Sequence, residues 1–185
     1  MKGKIIFFNG ASSTGKTTLA HALQAKLDEV YYHISVDNFI NMMDEKKVES
    51  NFLARISEAM SIMHHTVKLF SDRGLNVIVD HVLMDIPELA FATTECVNLL
   101  HDNPVLFIRV DCDLEELERR EKERGDREPG QARGQLDHMH GHQTYDLQIN
   151  TARQTTDQCT QEIMRMLDRP EAWTAFRRLY AKSAG

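Results

Sequence analysis

A chain of 185 residues with 42% hydrophobic content is long enough to bury one sizeable core and short for two. A net charge of −6 argues against nucleic acid or an anionic membrane as the main partner, since phosphate-rich surfaces need a basic footprint. Three cysteines, Cys96, Cys112 and Cys159, lie far apart without CxxC spacing, which indicates neither a disulfide framework nor a thiolate zinc site and points to the cytoplasm.

The apolar run Ile5-Ile6-Phe7-Phe8 predicts a first strand over residues 4–9, too short for a signal-peptide core or a membrane span. Directly behind it, Gly10-Ala11-Ser12-Ser13-Thr14-Gly15-Lys16-Thr17-Thr18 is a complete GxxxxGK[ST] phosphate-binding loop in its strand-to-helix setting. The glycines allow successive N–H groups to face the phosphates of ATP, and the following helix adds its positive end. Lys16 then reaches the β- and γ-phosphates and the Thr17 hydroxyl takes Mg²⁺.

A second strand is expected over 31–36, followed by Asp37 at the carboxyl end of the sheet, where a carboxylate can accept a hydroxyl proton or cap the next helix with Asn38. Phe39, Ile40, Met42 and Met43 follow it and suit either a core or an acceptor cleft. From Ser50 to Phe70, apolar residues recur every three to four positions and predict one amphipathic helix, ended near Ser71-Asp72-Arg73-Gly74. The third strand, over 75–80, ends on Asp80, placed to bind Mg²⁺ as a Walker B acid or to form a turn. Val82, Leu83 and Met84 come next as further cleft or core candidates.

A fourth strand is predicted over 104–110 and a fifth over 145–150. Between them, residues 118–135 are poor in apolar side chains and read as an arginine-rich lid. Glu115 with Arg119, Glu116 with Arg120 and Glu118 with Lys122 make i,i+4 pairs on a solvated helix face. Arg124 and Arg127 flank Gly125 beyond that helix, where guanidinium groups can close over the γ-phosphate. Adenine is expected between Arg119 or Arg120 and the stretch from Thr151 to Arg153. His138, His140 and His142 alternate as on a lid surface and lack partners at metal-ligand spacing. The tail from Pro170 to Tyr180 predicts a final helix capping the sheet edge.

These elements describe a single P-loop domain over 1–185, with a mostly parallel five-stranded α/β sheet. Asn9-Gly10 running into Ser12-Ser13 and Gly15-Lys16, Val36-Asp37, Ile78-Val79-Asp80, Arg120-x-x-x-Arg124-Gly125-Asp126-Arg127, His140, Tyr145-Asp146 and Asn150-Thr151 occur in order from about residue 4 to residue 152. This set resembles the chloramphenicol phosphotransferase family. The resemblance implies a kinase of the nucleoside-monophosphate-kinase type that moves the γ-phosphate of ATP to a hydroxyl of a small molecule. It further implies Asp37 as general base and Arg124 and Arg127 as lid residues over ATP. Two departures stand out: the stretch between Asp37 and the third strand is shorter than in the founding enzyme, and His81 occupies a position that is acidic there.

The function expected is an ATP- and Mg²⁺-dependent phosphotransferase acting on a small-molecule hydroxyl acceptor, with Lys16, Asp37, Arg124 and Arg127 in the chemistry. Phosphate contacts come from residues 10–18 with Arg120, and metal contacts from Thr17 and Asp80. The alternatives are a metabolite, nucleotide or sugar kinase, including one like the zeta-type toxins, and a non-catalytic ATP-sensing module. A sensor has no use for an acceptor base at Asp37.

Overall fold

The structure is a computed structural model that describes residues 1–124, 130–139 and 144–183. Five strands, β1 (Ile5–Asn9), β2 (Tyr31–Ser35), β3 (Asn76–His81), β4 (Val105–Asp111) and β5 (Leu147–Asn150), form one sheet in the order β2-β3-β1-β4-β5. Every neighbouring pair is parallel, so the chain must cross over between strands, and helices cover both faces. The central strand β1 is buried along all five residues. That is why it reads as a continuous apolar run and not as an alternation.

Strand alternation sends the two sides of each strand into two cores. Two short helices, α2 (Val36–Ile40) and α3 (Glu45–Glu49), lead from β2 into α4 (Phe52–Asp72), and Phe7, Val77, Val79 and Phe107 pack with α4, α5 (Phe91–Leu100) and α9 (Ala175–Ser183). Ile6, Phe8, Ile78 and Ile108 pack with α1 (Lys16–Lys26) and α8 (Thr156–Leu167) on the other side. Full burial of a phenylalanine such as Phe7 or Phe8 contributes about 1.5–3 kcal/mol.

The five predicted strands all form, within one or two residues of their expected ends. The fifth starts late: Asp146 is drawn off to accept the Phe107, Thr174 and Ala175 N–H groups, which tethers the chain between β4 and the start of α9. Helix α9 does not cap the sheet edge, as its sequence had suggested. The edges are β2 and β5, whereas Phe176 lies 5.4 Å from Phe7 and 5.0 Å from Phe107 over the middle of the sheet.

The stretch expected as a lid is partly regular. Helix α6 (Leu114–Arg124) runs through its first part, and α7 (Gln131–Leu136) covers its end. Glu121 is buried and accepts the Gly130 and Ala132 N–H groups, so the start of α7 is pinned to α6. Arg119 pairs with Glu116 and Glu123 and not with Glu115, while Glu118 is taken by Arg133. The expected Glu116–Arg120 pair forms, at 2.7 Å.

Candidate active site

The connection from β1 to α1 winds through left-handed backbone at Ser13 (φ 63°) and Gly15 (φ 92°). A non-glycine residue rarely adopts this conformation, and here it goes with a tight turn in which the Thr14 N–H donates to the Ala11 carbonyl at 3.4 Å. Gly10 admits no side chain: a Cβ would stand 2.4 Å from the Val110 carbonyl oxygen. Its N–H donates to the His81 carbonyl at 3.3 Å, which ties the start of the loop to the end of β3.

Lys16 opens α1 and is 5% exposed. Its Nζ folds back over the loop to the Gly10 and Ala11 carbonyls, 2.8 Å each, and lies 3.6 Å from Asp80 Oδ1. Thr17 Oγ1 donates to Asp80 Oδ2 at 2.7 Å. Asp80 therefore sits on a strand and beside the loop, not in a turn. Thr17 and Asp80 together present hard oxygen donors of the kind Mg²⁺ prefers. The buried Ser13 hydroxyl has no partner among the described residues, as suits a loop shaped around a polar guest.

His33, from β2, stands beside this pair, with Nε2 4.0 Å from Asp80 Oδ2. Burial lowers its pKa against the raising effect of Asp80, and His21, edge-on at 5.3 Å, lowers it further. Neither histidine was singled out in the sequence. Alternation along β2 could have flagged His33, which shares a sheet face with Tyr31 and Ser35.

Arg120 closes the opposite wall. Its Nη1 and Nη2 donate to the Thr151 hydroxyl and carbonyl, both at 2.9 Å, and Thr151 Oγ1 donates to the Thr14 carbonyl at 2.7 Å. The segment after β5 is thereby clasped against the phosphate loop. Arg124 is the last residue of α6 and lines the same cleft; it lies on the helix and not beyond it, because the helical pairing of Glu116, Arg119 and Glu123 carries α6 further than expected. Arg127, His140 and His142 lie outside the described residues. The Ser12 N–H donates to Gln135 Oε1 at 2.7 Å, so α7 also touches the loop.

Asp37 lies in the short helix α2 (Val36–Ile40), exposed and facing the cleft. It is not the cap of that helix. Asn38 Oδ1 instead accepts from the Ser35 N–H at 2.8 Å and the Ser35 hydroxyl at 3.1 Å.

Lys16, Thr17, Asp37, Asp80, Arg120 and Arg124 line one cleft of about 1050 Å³. Beyond the loop, apolar side chains line much of it: Val36, Ile40, Val82 and Met84, with Phe52, Ile56 and Met60 from α4, alongside the polar Ser35, Asn38 and Asn41. Of the cleft candidates in the sequence, Ile40, Val82 and Met84 belong here. Leu83 is instead a core residue, Phe39 packs against the same core, Met42 points to solvent, and Met43 is only partly buried and does not line the cleft. The α4 contribution was missed because its apolar stripe has core spacing throughout.

A family model described as chloramphenicol phosphotransferase-like protein matches residues 3–168. Two Mycobacterium tuberculosis proteins described as candidate O-phosphotransferases, MT2714 and Rv2636, are each 28% identical over 189 residues, covering 88% of this chain and 81% of their own length. Among solved structures, the M. tuberculosis APS kinase CysC in complex with AMPPNP and APS is similar, with TM-score 0.67 at 20% identity over 90% of this chain and 98% of that one. A sugar kinase from Janibacter sp. HTCC2649 reaches TM-score 0.63 at 17% identity over 92% and 98%. The loop, the strand order and the match across most of the chain agree: this protein belongs to the chloramphenicol phosphotransferase-like family, on a P-loop kinase fold.

Proposed function

We propose that this chain is a single-domain, ATP-dependent kinase of the nucleoside-monophosphate-kinase type that phosphorylates a hydroxyl of a small organic molecule. One observation carries the reading: the phosphate loop with Thr17 and Asp80 shares a single cleft with an exposed carboxylate, Asp37, set among apolar walls.

In this reading Lys16 and the N–H groups of residues 10–18 hold the triphosphate, and Arg120 with Thr151 borders the adenine side. Thr17 and Asp80 hold Mg²⁺, which when bound offsets charge on the phosphate oxygens. Asp37 orients the acceptor and takes its hydroxyl proton as the oxygen attacks the γ-phosphorus, with ADP as leaving group. Arg124, and Arg127 from the lid, spread the charge of the transferring phosphoryl group, and lid closure excludes water.

The acceptor is uncharged or carries a positive charge. Among the described residues lining the cleft, the lysine and arginines are Lys16, Arg120 and Arg124, all on the nucleotide side. Nothing basic lines the wall formed by Val36, Ile40, Phe52, Ile56 and Met60. A metabolite or sugar alcohol is the reading the fold relatives favour, and chloramphenicol is the acceptor that the family's description names. The test is a screen of hydroxylated antibiotics, sugars and metabolites for acceptor-dependent ADP release, with the product identified by its mass. A panel in which only anionic acceptors are phosphorylated overturns the assignment of the apolar wall; an intact protein that binds no ATP overturns the kinase.

A further inference from the structure

Behind Asp80 the strand turns its next side chain the other way, into the core between α4 and α5. There His81 is 1% exposed and His64, from α4, is fully buried. The two rings meet Nε2 to Nε2 at 2.9 Å. On its other side, His64 Nδ1 meets Glu95 Oε2 from α5 at 2.6 Å, and Ser61 Oγ donates to Glu95 Oε1 at 2.8 Å. Three elements are thus joined by an unbroken polar chain through an otherwise apolar layer.

We propose that Glu95, through His64 and His81, is the anchor that fixes the end of β3 and hence the Asp80 carboxylate, making these three positioning residues for metal-dependent nucleotide binding. The inference rests on the reading that Asp80 holds Mg²⁺. His81 is the junction. Its carbonyl receives the Gly10 N–H of the phosphate loop, its neighbour Asp80 holds the Thr17 hydroxyl, and its ring is the only one of these contacts that reaches α4 and α5. The α4 helix that holds His64 also supplies Ile56 and Met60 to the acceptor wall.

Both rings are shut off from water, at 0% and 1% exposure, and burial lowers the pKa of both, against the opposing pull of Glu95 on His64. Burial alone would raise Glu95, but the hydrogen bonds from His64 and Ser61 outweigh it and keep the carboxylate ionised. An ionised carboxylate only accepts, so His64 carries its proton on Nδ1. With one proton on each ring, His64 Nε2 is then the acceptor of the 2.9 Å contact and His81 donates from Nε2. In that arrangement the tautomer of His81 is set by Glu95 of α5, acting through His64. Hydrogen-bonded partners behind metal ligands commonly contribute 10–100-fold to metal affinity.

The experiment has two parts on the full chain. Long-range ¹H–¹⁵N correlation of labelled histidine reads the tautomers: we expect the His81 proton on Nε2 and the His64 proton on Nδ1. ATP titrations with and without Mg²⁺ are then compared for the unmutated protein, Glu95→Leu, His64→Phe and Glu95→Gln. The expected result is an approximately 10-fold loss of Mg²⁺-dependent tightening in Glu95→Leu and His64→Phe, with metal-free ATP binding unchanged. Glu95→Gln, whose amide oxygen can still accept from His64, recovers most of it. A His81 proton on Nδ1 in the unmutated protein overturns the proposal whatever the variants do, as does unchanged Mg²⁺ dependence in folded Glu95→Leu or His64→Phe. Failure of the unmutated protein to bind ATP instead strikes the nucleotide reading, and the tautomer measurement does not depend on it.

Discussion

Thr17 Oγ1 donates to Asp80 Oδ2 across 2.7 Å, joining the first turn of α1 to the penultimate residue of β3. Both oxygens belong to one small patch that also faces Lys16 Nζ. Replacing Asp80 by Asn keeps the hydroxyl bond and removes the charge. We expect ATP binding without metal to stay within a few-fold and its tightening by Mg²⁺ to fall by about 10-fold or more. Calorimetric titration of ATP with and without Mg²⁺ reads both quantities, and equal tightening in the two proteins removes Asp80 from the metal site.

Asp37→Asn is the corresponding test of the acceptor side. A general base contributes roughly 10²–10⁴-fold to turnover, so kcat is expected to drop within that range while ATP affinity is retained. Steady-state kinetics with the acceptor found in the screen, together with calorimetry of ATP binding, separates the two. Undiminished turnover assigns the proton to another group.

For the lid, Arg127→Ala should raise the barrier by about 2–4 kcal/mol if its charge is felt only as the phosphoryl group moves. Arg120→Ala differs in kind, because it loses two bonds to Thr151 that exist before any chemistry. Its expected signature is a raised KM for ATP with kcat nearly kept. A fall in kcat alone for Arg120→Ala would falsify its placement at the adenine side.

Acidification should weaken the fold through its buried histidines. The pKa of His64 is lowered by burial in spite of Glu95, and that of His81 is lowered well below the ordinary value by burial and by its histidine neighbour. A lowered pKa means that the unfolded chain binds protons that the native state refuses. Stability is therefore full above the unfolded value of about 6.5 and is lost as pH falls below it, at up to about 1.4 kcal/mol per pH unit for each ring. Urea midpoints at pH 7.5 and 5.5 should show this decline. It should be smaller in His64→Phe, and a flat profile in the unmutated protein shows that the rings are solvated.

Gly10→Ala is expected to destabilise the protein by about 1–3 kcal/mol, since the added methyl would overlap a backbone oxygen that cannot swing away. For a chain of this size each kcal/mol lowers Tm by roughly 2–4 °C, within reach of a thermal melt.

Much of this architecture is legible from the residues alone, for local reasons. The strands β1, β3 and β4 are dense runs of Ile, Val, Leu or Phe, and the phosphate loop is contiguous, so neither requires long-range information. What escapes is whatever depends on distant pairing. Glu121 looks like one more charge on a solvated helix, yet it is buried as the cap of α7. His64, His81 and Glu95 sit in three separate elements, with no spacing that marks them as a chain. The α4 side of the cleft has the same 3.6-residue rhythm as any core helix, and only the opening beside Phe52, Ile56 and Met60 distinguishes it.

The two halves of the cleft come from different stretches of polypeptide. The wall opposite the phosphate loop is drawn largely from Val36 through Met60, whereas the loop itself and its clasp come from residues 10–18, 120–124 and 151. On the proposed function, most of the acceptor contacts thus fall in one stretch of chain, with Val82 and Met84 added from after β3. Chimeras that swap residues 36–60 between relatives would show how far that stretch alone governs the choice of acceptor.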